Sequence, residues 1–210
     1  MKDNEWKKKI ADAVDKNPPS EETLNFNPGI KSDYDLIDER KNRVLPEKLE
    51  LASVLVGIID MEAPHVLLTK RSAYLKEHPG QVAFPGGKVD NNEDVTETAI
   101  REAREEVGIL KNEISICGYL DTYETGTGYR ILPVVGFITN PYTEINNSRE
   151  VSEVFKVPLR FLMDERNHKL ESSYWKGAVR KYYTIPYNNY YIWGATAGML
   201  RNLFERLKKN

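Results

Sequence analysis

The chain has 210 residues, 40% hydrophobic and 30% charged, enough for one good core and a small additional segment. With 30 Lys and Arg against 32 Asp and Glu the formal charge is −2, so no basic excess draws the whole molecule onto nucleic acid or an acidic membrane, and any anion site has to be local. Cys117 is the only cysteine, which excludes an intrachain disulfide and a cysteine-based zinc cluster and fits a reducing compartment.

The opening "MKDNEWKKKIADAVDK" lacks the apolar core of a secretory signal, no stretch reaches the ~18 apolar residues of a membrane helix, and the final "KKN" is not a peroxisomal address. A cytoplasmic location is expected. Residues 1–48 are rich in mixed charge and punctuated by Pro18, Pro19, Pro28 and Pro46, with Trp6, Ile10 and Val14 at amphipathic-helix spacing. They read as a partly helical extension packed on a domain spanning 49–210, a mobile arm being the alternative. From Leu51, "LASVLVGIID" and "HVLLTKR" read as two strands of a hairpin. "SAYLKEHPGQVAFPGGKVDNNED" holds too many Pro and Gly residues for a regular element and reads as a shaped loop.

Val95, Ala99, Ala103 and Val107 then recur every fourth residue, predicting a helix. Asp90, Asn91 or Asn92 is suited to cap it, Glu93 and Asp94 suit its positive end, and Gly108 suits its exit. "EISICGYL", "YRILPVVGFIT" and "VFKVPL" read as strands, and "KLESSYW" with "VRKYYTIPY" as a hairpin. In "YIWGATAGMLRNLFERLKK", Trp193, Ala197, Leu200, Phe204 and Leu207 form a helical stripe expected in the core. Strands around two substantial helices predict an α+β domain with a mixed β-sheet covered by helices.

The helix carries "REAREEVG". Residues on a helix are about 100° apart, so with Ala103 pointing inward Glu106 lies about 60° and Glu102 about 100° to one side. Glu97, Arg101 and Glu105 read as an exposed salt-bridged ladder. Glu102 and Glu106 do not, because two carboxylates stacked beside an apolar stripe repel each other and resist desolvation. A hard divalent ion, Mg²⁺ or Mn²⁺, removes that cost, and such ions complete their shell with water and phosphate oxygens. The adjacent "FPGG" lets backbone approach the same place.

Gly87, five residues, Glu93, seven residues and then Arg101-Glu102-Ala103-x-Glu105-Glu106-x-Gly108-Ile109 resembles the complete Nudix box, G-x5-E-x7-R-E-U-x-E-E-x-G-U with U apolar. Upstream, "LLTKRSAYLKEHPGQVAFPGG" resembles the coenzyme A motif of the CoA-pyrophosphatase branch of Nudix hydrolases, with Leu67, Leu68, Thr69, Arg71, Ser72, Gly80, Phe84, Pro85, Gly86 and Gly87 matching and Lys76 standing where the pattern has Arg. Lysine keeps the charge but not the bidentate fork. The resemblance covers about residues 50–208 and implies a Nudix-type α/β/α sandwich that hydrolyses the diphosphate of CoA or its derivatives to adenosine 3′,5′-bisphosphate and 4′-phosphopantetheine or its acyl form.

It also implies Glu102 and Glu106 as metal ligands, Glu105 as a further ligand or a partner of Arg101, and Glu93 as a tie between loop and helix. Catalysis then rests on Glu102, Glu105 and Glu106, and substrate binding on Arg71, Lys76, Gly86 and Gly87. Arg71 and Lys76 can meet a phosphate, Lys76 reading equally as solvated charge, while His65, His78 and His168 read as surface residues. Glu105, Glu124, Glu150 and Glu153 are candidate general bases. "ETGTGYR" is a ligand loop or a hairpin turn, and Cys117 a buried inert thiol. The expected partner is a small molecule, CoA or acyl-CoA, with no nucleic acid and no membrane, bound by a monomer or homodimer. The alternatives are a Nudix hydrolase of ADP-ribose, NADH or a dinucleoside polyphosphate, and a non-catalytic Nudix-fold sensor, against which the intact box acids weigh.

Overall fold

The computed structural model describes residues 3–20, 31–36, 49–75, 77–139, 142, 149–175 and 178–209. Helix α1 (Asp3–Ala13) and strand β1 (Lys31–Ser32) precede a run of strands: β2 (Glu50–Asp60), β3 (His65–Arg71), β4 (Val82–Ala83) and β5 (Gly86–Lys88). Helix α2 (Val95–Val107) follows, then β6 (Ile114–Tyr119), β7 (Tyr123–Glu124), β8 (Tyr129–Thr139) and β9 (Val151–Pro158). The chain closes with the one-turn helix α3 (Leu159–Leu162), strands β10 (Lys169–Trp175), β11 (Ala178–Tyr187) and β12 (Tyr190–Trp193), and helix α4 (Gly194–Lys209).

Strand β2 is buried continuously from Ala52 to Ile59, and a strand apolar on both faces must be covered on both. Leu55 and Ile59 on one face join Leu67 of β3 and Leu132, Val134 and Ile138 of β8 beneath Ala99, Ala103 and Val107 of α2. Val54, Val56 and Ile58 on the other join Ile10 of α1 and Ala197, Leu200 and Leu203 of α4. The result is the expected α+β sandwich of a mixed sheet between helices. Its central pair, β2 and β8, runs parallel from Glu50↔Tyr129 to Asp60↔Thr139. β3 pairs antiparallel with both β2 and β9, and β6 and β7 share the far edge of β8.

Three local expectations change. The segment before α2 is not wholly irregular, since Val82–Ala83 adds to β3 and Gly86–Lys88 adds to β2. The N-cap of α2 is Asp94, whose side chain accepts from the Thr96 and Glu97 amides at 2.7 and 2.8 Å while Glu97 accepts from the Asp94 amide at 3.1 Å, a reciprocal capping box. Gly108 ends the helix in the left-handed conformation, φ 87°, as its position suggests. The C-terminal helix starts only at Gly194, whose φ of 60° turns the chain out of β12; Trp193 therefore sits in a strand, 38% exposed, and not in the core.

His168 also departs from its surface reading: its Nε2 lies 2.6 Å from the Leu162 carbonyl oxygen, its ring meets Phe204 edge-on, and burial lowers its pKa. Cys117 is half-buried, and burial pushes its thiol up. The segment 125–128 is the turn between β7 and β8 and also faces the main cavity.

Candidate active site

The site begins where β5 lies against α2. Gly86 and Gly87 stand opposite Val54 and Ser53 of β2 in an antiparallel ladder, which presses this short strand under the helix. A Cβ at Gly87 would fall 2.2 Å from Glu102 Oε1, and one at Gly86 would fall 2.5 Å from the Ser53 carbonyl oxygen. Gly86 therefore requires glycine on steric grounds, whereas a side chain at Gly87 would displace the Glu102 carboxylate.

Glu106 is 6% exposed, and its Oε2 has no hydrogen-bond partner. Burial first, and the Glu102 carboxylate second, push its pKa up to about 8, against the pull of Arg71 and a backbone hydrogen bond from Gly86. Burial also raises Glu102, although Arg101 pulls the other way. Arg71 at the end of β3 has its own buried Nε without a hydrogen-bond partner. Two stacked carboxylates and an arginine, with orphaned polar atoms on both sides, leave a charged space that a cation with phosphate oxygens would satisfy.

Of the expected surface ladder only the Arg101–Glu105 rung forms, and Arg101 itself is half-buried. Its Nε donates to both oxygens of Glu93 at 2.9 and 3.1 Å, one terminal nitrogen donates to Glu102 at 2.8 Å and Glu105 at 3.3 Å, and the other donates to the Lys88 carbonyl oxygen at 3.3 Å. Arg101 thus ties β5, the turn before α2 and α2 itself to one guanidinium, and Glu93 is held low by it. Glu97, expected to pair with Arg101, is used in the capping box instead.

The candidate bases separate. Glu124 is 2% exposed and accepts from Arg130 Nε and a terminal nitrogen at 3.0 and 2.6 Å. Glu153 accepts from the Tyr190 hydroxyl, whose ring stacks on Phe155. Glu105 borders the cavity but leans on Arg101. Glu150 borders the cavity as well, and its charge is near enough to raise both Glu102 and Glu106. Its carbonyl accepts from the Ser72 amide at 2.7 Å, which anchors it beside Arg71.

Glu102, Glu105, Glu106 and Glu150 face one cavity of about 1070 Å³, at the upper end of ligand sites, roughly 300–1,000 Å³, whereas Glu124 and Glu153 are not among its lining residues. Arg71, His78, Gly86, Gly87, Glu102 and Glu106 border it. Lys76 lies outside the described residues. The cavity has a further wall that no sequence motif marks, formed by Arg180, Tyr182 and Trp193. The only local signal for it is strand alternation in "VRKYYTIPY", which sets Arg180 and Tyr182 on one face. Among the described residues no three His, Cys, Asp or Glu side chains converge as a ready-made metal cage; a carboxylate pair suits an ion that keeps water and substrate oxygens in its shell.

Comparison with known proteins agrees with this architecture. The family described as NUDIX domain matches residues 50–175, which include β5, α2 and both glycines. The "Uncharacterized Nudix hydrolase NudL" of Escherichia fergusonii is 41% identical over 154 residues, 72% of this chain and 80% of that protein. The NudL of Shigella flexneri serotype 5b is 39% identical over 174 residues, 82% of this chain and 90% of that protein. Among solved structures, a Nudix hydrolase from M. smegmatis, RenU, superposes with a TM-score of 0.50 at 17% identity, covering 76% of this chain and 87% of that one, a likeness of fold alone. With the matched family spanning more than half of the sequence, and relatives this similar aligned over most of their own length, the chain belongs to the Nudix hydrolase family.

Proposed function

We propose that the chain hydrolyses the diphosphate bond of coenzyme A or its acyl derivatives, releasing adenosine 3′,5′-bisphosphate and 4′-phosphopantetheine or its acyl form. The observation that carries the reading is the pair of half-buried Glu102 and buried Glu106, with an orphaned carboxylate oxygen on Glu106, on a cavity that Arg71 and the two glycines also border. Nudix hydrolases generally use divalent metal ions, and Glu102 and Glu106 are the residues that would hold Mg²⁺ or Mn²⁺ here. A divalent ion so placed would neutralise the nonbridging phosphate oxygens and acidify a water.

The chain's own residues do the rest. Arg71 places positive charge beside the carboxylates, where a diphosphate oxygen can meet its unsatisfied Nε. Arg101 keeps Glu102 and Glu105 oriented, and Gly87 lets the backbone lie against Glu102. Glu150, which borders the cavity with its charge close to both Glu102 and Glu106, is the acid we assign to take the proton of the attacking water. The CoA preference is supported by the segment from Leu67 to Gly87, which brings Arg71, His78, Gln81 and Phe84 to the cavity; Lys76 retains its proposed phosphate role on the motif alone.

The test is product analysis after incubation with CoA and Mg²⁺ or Mn²⁺. Adenosine 3′,5′-bisphosphate is the expected product. Intact CoA alongside turnover of ADP-ribose, NADH or a dinucleoside polyphosphate would move the chain to another Nudix substrate. CoA bound without any phosphorus-containing product would make it a sensor.

A further inference from the structure

The cavity has a wall that the box residues do not build. β10, β11 and β12 form a separate antiparallel sheet, and alternation along β11 puts Arg180, Tyr182 and Thr184 on one face. Trp193 lies directly across from Thr184, so it shares that face. Arg180, Tyr182 and Trp193 all border the cavity, with Lys181 beside them.

The aromatic pair is held in place. Tyr182 and Trp193 meet edge to face with ring centroids 5.6 Å apart. Glu171 accepts from Thr184 Oγ1 at 3.0 Å and from the Tyr191 hydroxyl at 2.6 Å, and Tyr191 is in turn hydrogen-bonded to Tyr182. Yet Trp193 remains 38% exposed. An indole left to water on a concave wall forgoes burial that a flat ring stacked on it would recover.

The cavity carries a further cation besides Arg71 and Arg101, which accompany Glu102 and Glu106: Arg180, on the β11 wall beside the aromatic pair. Resting on the diphosphatase reading above and extending it, we infer that this wall receives the nucleoside end of the substrate. The purine stacks on Trp193 beside Tyr182, and Arg180 pairs with the 3′-phosphate of its ribose while the diphosphate lies at the glutamates. Stacking accepts any base, whereas Arg180 selects a ribose that carries a 3′-phosphate. The wall would therefore separate CoA from nucleotides without one.

The probe is adenosine 3′,5′-bisphosphate, titrated without turnover while tryptophan fluorescence and calorimetric binding are followed. Wild type is expected to bind with a fluorescence change that Trp193→Phe abolishes while keeping most of the affinity. Trp193→Ala and Arg180→Gln are expected to weaken binding roughly tenfold or more, and Arg180→Gln to leave adenosine 5′-monophosphate binding nearly unaltered. In turnover of CoA the same two variants should raise KM by more than they lower kcat. A fluorescence change that survives Trp193→Phe, with affinities and KM within about twofold of wild type in the other two, would overturn the subsite even if CoA is hydrolysed. Binding through Trp193 by a protein that leaves CoA intact would retain the subsite and overturn the diphosphatase reading instead.

Discussion

Gly87 and Glu106 set what the α2 side of the cavity tolerates. Gly87→Ala would drive a methyl group into Glu102, 2.2 Å from Oε1, and Glu102 is also held by Arg101. Diphosphate hydrolysis should fall about tenfold or more, with the circular dichroism spectrum unchanged; full activity would mean that the placement of Glu102 does not matter. Glu106→Gln should lower turnover about a hundredfold or more at saturating metal. It should also change the pH dependence of stability. The folded value near 8 lies above the ordinary 4.5, so the folded protein holds a proton that the unfolded chain has released. Stability of the metal-free protein should therefore fall as pH rises from about 4.5 to 8, by no more than about 5 kcal/mol. Urea unfolding in chelator at pH 5 and pH 8.5 checks this: Glu106→Gln should flatten the dependence, and Mg²⁺ or Mn²⁺ should restore stability to the wild type at the higher pH. Equal slopes for wild type and variant would contradict it.

Helix α2 carries the box because both its ends are secured. Asp94→Ala removes two hydrogen bonds to the first turn and should cost about 1 kcal/mol in urea unfolding, whereas Glu97→Gln should change little, since glutamine also completes a capping box. Several residues between Asp90 and Asp94 have capping chemistry, and their types alone do not choose among them. The one that caps is the one with extended backbone immediately before Val95, φ −87° and ψ 168°, a place set by where β5 leaves the sheet. The same limit applies at α4. Trp193 fits the helical stripe by spacing, but β12 pairs with β11 through Trp193, and that long-range ladder overrides the local period. Glu102 and Glu106, by contrast, are legible from the wheel, because two positions four apart on a helix must be neighbours wherever the helix sits.

The two ends of the described chain meet on the face of the sheet opposite α2. Ile10 is fully buried among residues of β2, β8 and α4, Asp15 and Tyr119 exchange backbone hydrogen bonds at 3.0 and 2.9 Å, and Arg206 of α4 donates to the Ala13 carbonyl oxygen and to Asp15. Ile10→Ala should cost about 2–4 kcal/mol, and deletion of residues 1–20 should lower the midpoint of cooperative unfolding of the whole protein; an unchanged midpoint would show that α1 is an independent appendage. Periodicity, turn chemistry and the spacing of the box acids are carried by the linear chain, because propensity, capping and i,i+4 contact act within a helical turn or a strand. From them follow the α2 helix, the hairpins, the apolar runs of β2 and β8 and the adjacency of Glu102 and Glu106. The parallel pairing of β2 with β8, the collection of Glu93, Glu102 and Glu105 on Arg101, the approach of Glu150 to Glu102 and Glu106, and the turn of Trp193 toward the cavity were decided only in three dimensions. Each joins segments far apart or selects among chemically equivalent side chains, and what selects is competition for burial and hydrogen bonds across the folded whole.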